Sequence, residues 1–125
     1  MSSAMKPKRV ILELGTGNDL HGGDYTKAAI RAVQDAIHHS SLSLIRSLGL
    51  DARKMLVEVT IGVQRPDKVD AEAVKAILPH GQVGISVVKG GLDVPPETSG
   101  HASGDTAVIA SAAVAVRLDL PQPRG

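Results

Sequence analysis

The sequence contains no cysteine, no tryptophan and no phenylalanine, and Tyr25 is its single tyrosine. Without thiols there is neither a disulfide nor a thiolate ligand for a metal, which fits a reducing, cytoplasmic setting. Aromatic side chains usually supply the largest blocks of buried area. A core built from Ala and Val instead is light, and predicts that further apolar surface is buried between subunits. Charge of one sign is also missing: 14 Lys and Arg against 13 Asp and Glu give a formal net charge of +1. The cations are scattered and no aromatic platform accompanies them, so the basic stripe that nucleic acid requires is absent. No apolar run approaches the roughly 20 residues that span a bilayer. The polar stretch from Met1 to Lys8 lacks the apolar segment of a signal peptide. The expected partners are therefore other copies of the chain and a small polar molecule, with no nucleic acid and no membrane.

What is present suffices for one compact domain: 125 residues, of which 42% are hydrophobic. Residues 1–7 are expected to be a disordered lead-in, 8–119 a single domain and 120–125 a tail. The first strand is expected at Lys8 to Leu14, with Val10, Leu12 and Leu14 facing the helices and Ile11 and Glu13 the opposite side. A long amphipathic helix follows, capped by Asp24 or Thr26, with Ile30, Val33, Ile37, Leu44, Ile45 and Leu48 at helical spacing and Gly49 ending it. His38 and His39 fall on its solvated face. Met55 to Val63 alternates strictly and reads as a strand with Glu58 on its polar face. Arg65-Pro66-Asp67 is a turn. Asp67 or Asp70 then caps a short helix whose Val69, Ala73, Val74, Ile77 and Leu78 pack inward, and Pro79-His80-Gly81 closes it. A third strand spans Gln82 to Lys89. Gly90 to Gly104 is too polar and glycine-rich to form a regular element, and loops of that length are usually functional. Thr106 to Asp119, apolar on both faces, reads as a strand buried on both sides.

This order predicts an α/β (α+β) fold: a single β-α-β-α-β-β sheet with its helices on one face. The other face would display Glu13, Glu58, Thr60 and Ser86 among small residues. Two carboxylates on such a surface are costly unless wet, paired or shared. Packing of the sheets around an axis, as a homotrimer with polar clefts between subunits, resolves that cost.

The chemistry concentrates in Leu14 to Lys27, L-G-T-G-N-D-L-H-G-G-D-Y-T-K, read as one strand-to-helix loop. Gly15, Gly17, Asn18 and Gly22 are candidates to approach a ligand closely, and the helix N-terminus adds N–H donors suited to an anion. The nucleotide fingerprints are not matched, since Gly15-x-Gly17 is followed by Leu20 and the Walker lysine is absent. Two readings of Asp19-x-His21 stay open. In one, Asp19 orients His21 as a general acid/base; in the other, both residues only hydrogen-bond the loop. His101 and Asp105 form a second such set in another glycine-rich loop. Asp19, His21, His101 and Asp105 together suit a divalent metal. Lys89, beside Gly90-Gly91, is a candidate partner for a substrate anion. Ser86 and Lys89, three apart on a strand, point to opposite faces and form no dyad. Glu58 is a candidate ligand contact, and with Glu13 either an acid/base pair or the lining of a wet channel.

The element order between residues 8 and 119 resembles the small trimeric chorismate mutases. Arg9, Arg65 and Arg117 do not reproduce the arginine cleft of those enzymes, so that likeness implies a fold and not their activity. Gly15-Thr16-Gly17-Asn18-Asp19-Leu20-His21-Gly22 resembles the G-x-G-x-D-x-H-G signature of a family of conserved hypothetical proteins from bacteria and, with an N-terminal extension, plants; that resemblance implies no activity. Gly17-Asn18-Asp19 also resembles the turn before a helix in ring-opening amidohydrolases, although the Ser-Lys pairs of those enzymes have no counterpart here.

Two functions follow as expectations. One is an enzyme that uses Asp19, His21, Lys89 and His101 for acid/base chemistry in a cleft between subunits, a cyclic-amide hydrolase being one version. The other is a non-catalytic trimer that binds a small ligand or a metal.

Overall fold

A computed structural model describes residues 8–38, 55–78, 82–96 and 106–118. The expected extension of the long helix to Leu48, its end at Gly49, the close at Pro79-His80-Gly81, both termini, His39, His101 and Asp105 lie outside the described residues.

In chain order the elements are β1 (Lys8–Asp19), α1 (Tyr25–His38), β2 (Leu56–Val63), a 3₁₀ turn (Pro66–Lys68), α2 (Ala71–Lys75), β3 (Gln82–Lys89), β4 (Leu92–Val94) and β5 (Ala107–Leu118). They form one mixed sheet in the order β1-β5-β2-β3. β5 is antiparallel to both β1 and β2, and β3 is parallel to β2, so β1, β2 and β3 all run the same way. β4 pairs with Ala107 to Ile109 of β5, beyond the part of β5 that β2 occupies. This strand replaces part of the irregular stretch expected after Lys89. It forms because Gly91, at φ 62°, lies directly against the Ile109 carbonyl. Only a residue without a Cβ fits there, and the resulting turn brings Leu92 into register with Ile109.

Both helices cover one sheet face, as expected. Asp24 caps α1, its Oδ1 accepting from the Lys27 N–H at 3.0 Å. Asp70 caps α2, accepting from the Glu72 and Ala73 N–H groups at 3.1 and 3.2 Å. Alternation in β2 places Val57, Val59, Ile61 and Val63 in the core, and β5 contributes Val108, Ala110, Ala112, Val114, Val116 and Leu118. Against them α1 buries Ala28, Ala29, Ala32, Val33 and Ala36, while Ile30 and Ile37 are only partly buried.

The alanine stripe explains the largest correction. β1 continues to Asp19, so G-T-G-N-D belongs to a strand and not to a loop. A Cβ at Gly15 would overlap the backbone of Ala32 and Ala36, and one at Gly17 that of Ala28 and Ala32. Neither glycine has a positive φ; their function is to let α1 lie directly on the strand. Because side chains alternate, Ile11, Glu13, Gly15, Gly17 and Asp19 then share the helix side. Leu12 and Leu14, expected in the core, point the other way, Leu14 being 70% exposed. Glu13, in register with buried Val114, therefore lies on the opposite face from Glu58, and the two carboxylates form no pair. β5 is also not enclosed on both sides by the described residues. Ala107, Ile109, Ala113 and Ala115 are half-buried and Ser111 is exposed.

Candidate functional site

The parallel direction of β1, β2 and β3 gathers their carboxyl ends at one end of the sheet, beside the start of α1. The loop there is only Leu20 to Asp24. Gly22 and Gly23, at φ 93° and 60°, reverse the chain, and Gly23 packs against the Thr106 carbonyl. Asp19 is 4% exposed. Its Oδ2 accepts from the Asp24 N–H at 2.8 Å and its Oδ1 lies 3.6 Å from Arg31 Nη1. Arg31 also donates to the Asn18 carbonyl at 2.7 Å. The donors at the start of α1 thus meet the chain's own carboxylates, Asp19 and Asp24. This corrects the anion cradle expected at that helix end, since further negative charge there meets two aspartates first.

A second pair lies alongside. Asp19 and Asp93 both register with Val108, one from each side of β5, on the helix face. The Tyr25 hydroxyl donates to Asp93 Oδ2. The other oxygen, Oδ1, is buried and accepts no hydrogen bond among the described residues. The Tyr25 pKa is raised above its ordinary 10.0 first by this hydrogen bond, then by burial and by the charge of Asp93, with Arg65 opposing. Sequence reading missed both residues. The signal was there in Leu92-Asp93-Val94, where one polar residue alternates with two apolar ones as in a strand.

His21 and Lys89 are exposed at the same end. Gln64 Nε2 holds the turn after β3, donating to the Gly90 and Gly91 carbonyls at 3.1 and 3.2 Å. The segment bearing His101 and Asp105 leaves after Pro96 and returns at Thr106, and both flanks lie here because Val94 registers with Ala107. Asp19, His21 and Lys89 thus lie at one end of the sheet, with β5 and β2 between the strand that ends in Asp19 and the one that ends in Lys89. Glu58 is not among them: it lies on the open face, accepting from Arg117 Nε at 3.0 Å. No group of three or more metal-binding side chains occurs among the described residues; of the expected metal set, only Asp19 and His21 fall within them. No helix among the described residues is long and apolar enough to cross a membrane.

The open face also carries a hollow of about 510 Å³, lined by Leu14, Thr16, Thr60, Gly62, Ser111 and Ala113. At its rim Asp35 Oδ2 accepts from the Thr16 N–H at 2.9 Å. Its volume lies within the range of roughly 300–1,000 Å³ usual for small-molecule sites.

These features define an α/β protein with one helix-covered sheet face, one open face, and polar residues gathered where its parallel strands end. The chain belongs to the Lin0512 family of conserved hypothetical proteins, whose model matches residues 9–116. It is similar to the crystal structure of an FtsZ-like protein of unknown function from Nostoc punctiforme PCC 73102, with 37% identity and a TM-score of 0.78 over 94% of this chain and 100% of that one. No curated protein matches the chain.

Proposed function

We propose that the protein is a small-molecule enzyme that performs acid/base chemistry at the carboxyl ends of β1, β2 and β3, and that it works as a homotrimer with the site in a cleft between subunits. One observation carries this reading. The β1–α1 turn and both flanks of the His101 segment meet at that end, with Gly23 against the Thr106 carbonyl and Asp19 and Asp93 on either side of Val108. Ligands of open α/β sheets bind beyond the carboxyl ends of the parallel strands. In this reading His21 transfers the proton, imidazole being the side chain most often used as a general acid/base, and Lys89 pairs with an anionic group of the substrate. His101 assists from the other segment.

Small cyclic amides are the first substrates to test. Their hydrolysis needs a base to take a proton from water as its oxygen adds to the carbonyl, and an acid to protonate the nitrogen as the C–N bond breaks. A panel of such amides is incubated with purified protein and ring opening is followed. Turnover that disappears in His21→Asn, with substrate affinity held within a few-fold, is the expected result. Binding of a panel compound without turnover in the unaltered protein would establish the alternative, a non-catalytic small-ligand or metal-binding oligomer. That alternative is favoured by the engagement of Asp19 with Asp24 and Arg31, as in a carboxylate that closes a turn. Metal analysis of untagged protein tests its metal version, which a stoichiometry near zero removes.

A further inference from the structure

We infer that the open face of the sheet is the surface on which a second copy of this chain packs. This rests on the oligomer proposed above and names where its copies meet. Five of the six exposed large hydrophobic side chains among the described residues, Leu12, Leu14, Val88, Leu92 and Val94, belong to this face. Leu12 and Leu14 follow from the alternation along β1. Val88 registers with Gly62, and Leu92 and Val94 register with Ile109 and Ala107.

Size argues for an occupant. Strands about 4.8 Å apart that rise about 3.3 Å per residue give four strands a projected area on the order of 600 Å². A monomer ordinarily leaves apolar patches of roughly 300–600 Å² in water, and each partner in a standard interface contributes about 800 Å². The face is therefore at the upper end of what a monomer leaves free, and it approaches what one partner of a stable interface contributes.

Its chemistry argues that the occupant is another copy. Glu58 and Arg117 are paired with each other on the face, 3.0 Å apart, and Arg9, in register with Arg117, lies towards one end of its β1 edge, so the centre of the face presents no charge to a neighbouring copy. Gly62, Gly84, Ser86, Ser111 and Ala113 keep its centre low, which lets a second sheet approach to the roughly 10 Å of packed sheets. On β1, Asp35 takes the Thr16 N–H and Arg31 the Asn18 carbonyl, which blunts that edge. The apolar face has no such covering among the described residues. A copy seated on it would roof the hollow over Thr16, Thr60 and Ser111 and turn it into an enclosed site.

The test is the mass of the full chain by light scattering, for the unaltered protein, for Leu14→Glu/Leu92→Glu, and for Lys27→Glu on the outer side of α1. The expected result is a mass that is a multiple of 12.9 kDa for the unaltered and Lys27→Glu proteins. The double variant should be folded by circular dichroism, with its association weakened at least about tenfold, as when a buried interface anchor is lost. A monomeric unaltered protein overturns both the oligomer and this surface. An oligomer that the folded double variant leaves intact overturns the surface alone. If the double variant does not fold, side-chain radical footprinting of the unaltered protein decides: Leu14 and Leu92 protected above the association concentration support the inference, and equal labelling above and below it overturns it.

Discussion

Gly15 and Gly17 act through the atoms they lack. Each leaves a gap that the backbone of α1 fills, so a side chain at either position must push the helix off the sheet. Overpacking of that kind costs typically 1–3 kcal/mol and sometimes more; Gly17→Val should lose at least about 2 kcal/mol, read as a fall in the urea midpoint. An unchanged midpoint would mean that α1 does not rest there. Tyr25 gives a second prediction at this scale. Its pKa is raised in the folded chain, so folding favours the protonated phenol. Its contribution to stability is therefore complete below the ordinary value of 10.0 and is lost as pH rises through the higher folded value. Because Tyr25 is the only tyrosine, tyrosinate absorbance reports it directly: ionisation should begin later in the native protein than in urea. Tyr25→Phe should abolish that pH dependence and, by leaving the half-buried Asp93 without its donor, destabilise by about 1–2 kcal/mol. Coincident native and denatured titrations would refute the Tyr25–Asp93 bond.

The elements were legible wherever local chemistry decides them. Strict alternation from Met55 to Val63 gives β2 its faces, and pattern narrows the cap of α2 to Asp67 or Asp70, because a carboxylate just before a helix accepts its first free N–H groups; the structure selects Asp70. Asp70→Ala should cost about 1 kcal/mol in a denaturant melt, and no loss would mean that α2 does not depend on that cap. Thr26 ties this region to α1, accepting from the Asp70 backbone N–H at 2.9 Å, a bond that Asp70→Ala leaves in place. β1 and β4 depart from expectation for one reason. Glycine by itself suggests a loop, whereas Gly15 and Gly17 serve packing inside a strand and Gly91 serves a tight turn between two strands. Propensity measures what a residue prefers when alone, and contact with another element outweighs it.

For the whole molecule, the proposed association predicts that thermal stability rises with protein concentration, since whatever binds only the folded chain stabilises it by mass action. Melting followed across a dilution series should show a rising midpoint, and a constant one would argue for a monomer. Local pattern was enough for the class of fold, the order of its main elements, the core face of β2, and the residue types able to carry acid/base chemistry. These follow from period, capping and side-chain chemistry, which are local. The tertiary structure alone decided which face of β1 meets the helix, that Glu13 and Glu58 lie on opposite sides of the sheet, and that Asp93 reaches Tyr25 across 68 positions of chain. Alternation fixes which side chains share a face but not which face is covered. That is settled by fit, and here a stripe of alanines on α1 fits only over a strand bearing Gly15 and Gly17.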